Sequence, residues 1–159
     1  MWRRIALLGL GLALAAGFWW RQHPAHPAPV KASLYETEMA EMLVKNILTG
    51  LKPPVPPVCF LAFGEGTTPP SPAFIARFAG SQPAVISCGS AASPPIGRYF
   101  ETSTGRQGLV IHIVNFKQPA PGTFEVEVRF SNLPSGHDRL IYRVVRDDGG
   151  WVVKSSHPA

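Results

Sequence analysis

Proline limits this chain more than any other residue. Seventeen of its 159 residues are Pro and fifteen are Gly. Proline fixes φ and removes a backbone donor, which confines it to first helical turns, strand edges and bulges. All but Pro134 and Pro158 precede Thr123, which argues against long helices or broad central strands in the first two-thirds. The absence of a glycine period excludes collagen, and 45% hydrophobic content excludes wholesale disorder. The length suits one ordinary domain.

The formal charge of +5 suggests a nucleic-acid partner until its placement is considered. Arg3, Arg4 and Arg21 flank an apolar run, and residues 22–159 carry twelve Lys/Arg against ten Asp/Glu. Those charges are scattered and form no basic stripe, so no nucleic-acid partner is expected.

Met1-Trp2-Arg3-Arg4 is a short basic head, and Ile5 to Trp20 gives sixteen uncharged residues. A membrane-spanning helix needs about 20 apolar residues and a secretory signal about 7–15, so the run lies between the two. Ala13-Leu14-Ala15 offers a cleavage site, whereas Phe18-Trp19-Trp20-Arg21 has the pattern of an interfacial aromatic belt and favours an uncleaved anchor. Both readings send the following chain across the membrane. Residues 22–32, QHPAHPAPVKA, read as an extended polyproline-like spacer, with His23 and His26 as solvated tether residues. The expected organisation is a signal anchor or signal peptide over 1–21, a linker over 22–32 and an extracytoplasmic domain over 33–159. The expected location is the inner membrane, single-pass with the C-terminal domain outside the cytoplasm, or periplasmic or secreted if the segment is cleaved.

Cys59 and Cys88 are the two cysteines. Export to an oxidising compartment predicts a disulfide between them. It would close a loop of roughly 30 residues and contribute about 3–4 kcal/mol in the chain-entropy model. The alternative is a reactive thiol beside His112 or His137, although neither cysteine has a Cys-His family signature around it.

Ser33 to Glu36 has the form of a capping box, followed by Tyr35, Met39, Met42, Leu43 and Ile47 on one face. A helix is predicted from Leu34 to about Thr49, stopped by Gly50. Ser71-Pro72 opens a shorter helix that turns Phe74, Ile75 and Phe78 inward and stops at Gly80. The texture then changes to period two. Leu109, Ile111 and Ile113 alternate with Val110, His112 and Val114, and Phe124 to Phe130 alternate with Thr123 to Arg129. Ile141–Arg146 and Trp151–Lys154 flank Asp147-Asp148-Gly149-Gly150, a strong hairpin signal. The expected fold class is α+β: an N-terminal anchor helix, then one long helix packed on a curved antiparallel sheet of about four strands, with a Pro-rich central region.

The closing segment Tyr142–Lys154, taken with the early helix, resembles NTF2-like and cystatin-like domains over residues 34–50 and 108–156. The Pro-rich centre with its two cysteines departs from that pattern. The resemblance implies a cone-shaped pocket between helix and sheet, and no particular activity.

Catalytic motifs are sparse. HExxH, GxSxG, P-loop, CxxC and GxGxxG patterns are absent from the sequence, and no cofactor or metal is expected. Glu36, Glu38 and Glu41 are explained by a helix start, and Asp147-Asp148 by a turn. His112 stands alone among apolar residues on its strand face. With Tyr99, and Glu101 as further company, it is the pocket candidate, against the plainer reading of a satisfied sheet histidine. His137-Asp138 reads as a solvated turn. The leading expectation is a membrane-tethered, extracytoplasmic, non-catalytic binding or accessory module with a protein partner in the envelope. The alternatives are an assembly subunit of an envelope membrane complex, whose anchor packs through Gly9, Gly11 and Ala13, and a small pocketed ligand binder or enzyme of NTF2-like type.

Overall fold

Strand Val58–Phe63 organises the domain, although it lies in the Pro-rich region. The computed structural model describes residues 35–92, 99–131 and 139–159. Its elements run α1 (Glu38–Gly50), β1 (Val58–Phe63), α2 (Pro72–Ala76), β2 (Ala84–Ser87), a 3-10 turn (Cys88–Ser90), β3 (Ala91–Ala92), β4 (Phe100–Glu101), β5 (Gly108–Ala120), β6 (Thr123–Ser131), β7 (Arg139–Asp147) and β8 (Gly150–Pro158). Six strands form one mixed sheet in the order β2-β1-β5-β6-β7-β8, and β3 pairs with β4 separately.

This corrects the expected four-stranded antiparallel sheet. The antiparallel meander is present in β5 to β8, but β1 runs parallel to both β2 and β5 and extends the sheet. All six residues of β1, VCFLAF, are buried. A strand covered on both faces has no polar side to alternate with, so it carries no period-two signal. The prolines do not disrupt it, because Pro57, Pro69, Pro70 and Pro83 sit outside the strands they flank.

The helix also begins later than expected. Thr37 caps α1, its Oγ1 accepting from Ala40 N at 3.2 Å. Glu36 lies ahead of that cap. Its carboxylate accepts from Ser71 N at 2.5 Å and from Ser71 Oγ at 2.7 Å. Ser71 in turn caps α2 through Phe74 N, so Glu36 ties the starts of the two helices together. Ser33 and Leu34 lie outside the described residues.

Met39, Ala40, Leu43, Val44, Ile47 and Leu48 form the buried stripe of α1. They share one core with Leu61, Phe63, Leu109, Ile111, Ile113, Val126, Val128 and Val144. Phe74 and Phe78 of the α2 segment join it, and rings run from Tyr35 through Phe63 and Phe74 to Phe78 at centroid spacings of 5.4–5.5 Å. A smaller core lies on the opposite face, where Ile86, Ala91 and Tyr99 pack against Val58, Phe60 and Val110.

The connections explain this two-sided cover. The β1-to-β2 crossover passes through α2 on the α1 face, and the β2-to-β5 crossover passes through β3 and β4 on the other. They travel in opposite directions on opposite faces and therefore share one hand. β1 is thus a topological switch point, and the crevice beyond the carboxyl ends of such strands is the usual ligand position in open sheets.

Packing at the seam between β1 and β5 is tight. Gly108 lies opposite Val58, and a Cβ there would stand 2.5 Å from Phe60 Cε2 and 2.7 Å from the Val58 carbonyl oxygen. Only glycine fits so close an approach. The expected anchor and linker lie outside the described residues. Among the described residues, no helix is long and apolar enough to cross a membrane.

Candidate functional site

At the carboxyl ends of β1 and β2, on the face opposite α1, lies a cavity of about 340 Å³. Ala62, Ala91 and Val110 form its apolar floor, while His112, Tyr99, Cys88, Arg129, Thr67 and Ser131 supply its polar atoms. His112 and Tyr99, the two pocket candidates from the sequence, are therefore brought to one cavity. The cavity is not the helix–sheet pocket implied by the resemblance, because period two turns His112 away from Ile111 and Ile113, which face the helix. A helix–sheet cavity of about 470 Å³ exists separately, lined by Ile47, Leu51, Leu109, Phe130, Leu140 and Tyr142 among others. Burial pushes the Tyr142 hydroxyl there up to about 12.

A tight loop after β1 sets the histidine. Phe63 and Thr68 exchange backbone hydrogen bonds at 2.7 and 2.9 Å around Gly64–Thr67. Gly64 has φ +66 and Thr67 φ +53. The left-handed region suits glycine and is uncommon for threonine, so the Thr67 backbone is held there by its surroundings. The loop directs the Gly64 carbonyl at His112 Nε2, 2.5 Å away. A carbonyl only accepts, so Nε2 carries the proton, and in the neutral ring Nδ1 holds the lone pair. His112 is 9% exposed. Among the described residues no buried side-chain nitrogen or oxygen lacks a partner, and no hydrogen bond to Nδ1 is found. Nδ1 is therefore solvent-reachable, and His112 lines the cavity.

Arg129 stands directly opposite His112 in the β5–β6 register. Its Nε donates to Glu127 at 3.0 Å. Glu127 is 6% exposed and also accepts from Arg139 at 2.8 and 3.0 Å and from Asn115 at 3.4 Å. Desolvation pushes the Glu127 carboxyl up, but the two guanidinium groups outweigh it and hold it below the usual carboxylate range. Sequence reasoning missed Arg129. Its position in the Thr123–Phe130 alternation marks it as outward-facing, but only the strand register places it beside His112.

The cysteines do not form the expected bridge; both are free thiols. Cys59 pairs with Val85, three residues before Cys88, and belongs to the α1-side core, whereas Cys88 lines the cavity on the other face. A disulfide needs Cα atoms within about 7 Å and side chains that converge. Cys88 lies past the end of β2 and the two thiols face opposite sides of the sheet, so the side chains do not converge. Burial raises the Cys59 thiol to about 12. Cys88 is half-buried, its Sγ donating to the Thr67 carbonyl at 3.5 Å. Desolvation raises its pKa despite opposing backbone hydrogen bonds, which keeps it a neutral thiol and a poor nucleophile at neutral pH.

Glu101 is not a wall of this cavity. It pairs with Arg106 at 2.8 Å and accepts from Thr104. His23, His26 and His137 lie outside the described residues. Among the described residues, no group of three or more His, Cys, Asp or Glu side chains is placed to hold a metal ion. No protein-family model matches the chain, nor does any curated protein or solved structure.

Proposed function

We propose that this chain is a membrane-tethered, extracytoplasmic binding module whose ligand or partner group enters the His112 cavity. One observation carries the binding reading: a cavity at the switch point of the sheet is lined by His112, with its acceptor Nδ1, opposite a guanidinium over an apolar floor. A few convergent polar groups in a mostly apolar concavity are what ligand recognition requires. The Cys88 thiol, held neutral, supports recognition rather than nucleophilic chemistry. The tether rests on the sequence pattern of Arg3-Arg4, the uncharged run Ile5–Trp20 and the Pro/Ala/His linker.

The test uses the full chain with a C-terminal tag. Cells are fractionated, and spheroplasts are treated with protease from outside. A full-length, membrane-bound and externally digested domain is expected, and a cytosolic protein would overturn the tether. Purified in detergent, the full chain should bind small polar compounds in a thermal-shift screen. Ala91→Trp, which fills the cavity from its apolar floor, should abolish those shifts. Shifts that survive the plug would place binding elsewhere.

A further inference from the structure

Resting on that reading of the cavity, we propose that its ligand is a small hydroxycarboxylic acid. Its carboxylate pairs with Arg129 in place of Glu65, and its hydroxyl donates to His112 Nδ1.

An arginine pair flanks one acid on the far face of the sheet. Glu127 is one buried carboxylate shared by two arginines. Arg139 reaches both of its oxygens, through Nε and Nη2, whereas Arg129 reaches it through Nε. The Asn115 amide also donates to it, so its lone pairs are well used. Arg139 thus takes most of that carboxylate, and Arg129 is left with one bond to it. The outer edge of Arg129 meets Glu65, with Nη1 3.6 Å from Oε2, and the Glu65 side chain is 70% exposed. A long contact to a solvated side chain is weak. A carboxylate that displaces Glu65 from that edge can form shorter, charge-assisted and bidentate bonds to the guanidinium. Glu65 is thus a displaceable counter-ion at the mouth of an anion site.

The second group narrows the class. His112 and Arg129 are cross-strand partners on one face, and such side chains lie close enough for one short molecule to touch both. Nδ1 accepts, so the ligand must bring a donor near its carboxylate. An ammonium would carry a cation toward the Arg129 guanidinium, which disfavours an amino acid. A neutral hydroxyl satisfies Nδ1 without that penalty. The apolar floor of Ala62, Ala91 and Val110 accommodates a short carbon skeleton.

The test measures binding of lactate, malate, propionate, lactamide and inorganic phosphate to the full chain in detergent by calorimetry. Lactate or malate should bind saturably, with lactamide and propionate each at least about tenfold weaker. Glu65→Gln, an exposed loop change, should tighten binding several-fold. Arg129→Lys should weaken it about tenfold, because an ammonium cannot replace the planar fork. Lactamide binding as well as lactate, or affinity unchanged in Arg129→Lys, would overturn the proposal. So would phosphate outcompeting both acids. If neutral probes bind and Ala91→Trp abolishes them while no carboxylate binds, the cavity reading stands and the carboxylate assignment falls. If nothing binds, both fall.

Discussion

The two halves of the sheet solve burial differently. In the parallel half, β1 is covered on both faces, by α1 and α2 on one side and by the β3–β4 crossover on the other. In the antiparallel half, β6 and β7 turn Val126, Val128, Tyr142 and Val144 toward the helix and leave Glu125 and Arg143 on the opposite face. β5 belongs to both, and the cavity opens where the apolar cover of the first half gives way to the polar face of the second. Polar groups gather at that seam because a side chain there borders apolar cover yet still reaches solvent. A site with fixed donors and acceptors needs both conditions.

This contrast can be broken by substitution, and the largest effect belongs to the doubly covered half. Phe60→Ala should lose about 3–5 kcal/mol of stability in urea unfolding, the cost of emptying a packed aromatic site. Arg143→Ala, an exposed position on the polar face, should change it by less than about 0.5 kcal/mol. Similar losses at the two positions would show that the β3–β4 crossover is not a true second layer.

Gly108→Ala tests the seam itself. Its Cβ would meet the Phe60 ring and the Val58 carbonyl, and overpacking of this kind costs about 1–3 kcal/mol. A neutral result would mean that β1 and β5 separate more easily than their close approach implies.

Glu127→Gln sharpens the comparison from the polar side, with an expected loss of about 1–2 kcal/mol at neutral pH from a buried charge-assisted network. Its folded-state pKa is lowered, so its contribution is complete above the ordinary value of 4.5 and is lost as pH falls through the folded-state value below it. The wild-type stability curve should therefore drop more steeply in acid than that of Glu127→Gln. Parallel curves would remove Glu127 from the account.

The smallest effect is chemical. In the native protein Cys88 should react slowly with a maleimide and Cys59 should stay unlabelled until unfolding, as judged by intact mass. A species two hydrogens lighter than the reduced chain, resistant to labelling, would restore the disulfide and require β1 and β2 to pair differently.

How much of this was legible depended on which faces of an element are covered. The antiparallel meander was readable because Phe124, Val126, Val128 and Phe130 alternate with polar neighbours, and the hairpin closes at Asp148-Gly149 as its turn residues dictate. The cap of α2 at Ser71-Pro72 was readable because its chemistry is local. By contrast, the capping box at Ser33–Glu36 misled, since Glu36 found a partner 35 residues away in Ser71. The strand around Cys59 was hidden by its complete burial.

The sequence by itself determined the elements whose signals are local or periodic: the stripe of α1, the cap of α2, the alternation of β5 and β6, and the turn between β7 and β8. It also marked His112, with Tyr99 as company, as the pocket candidate. Only the tertiary structure decided that β1 inserts beside β5 in parallel, that His112 faces away from the helix, and that Arg129 stands opposite it. Those facts depend on strand order and register, which are set by long-range packing and backbone pairing, and no short window of sequence contains them.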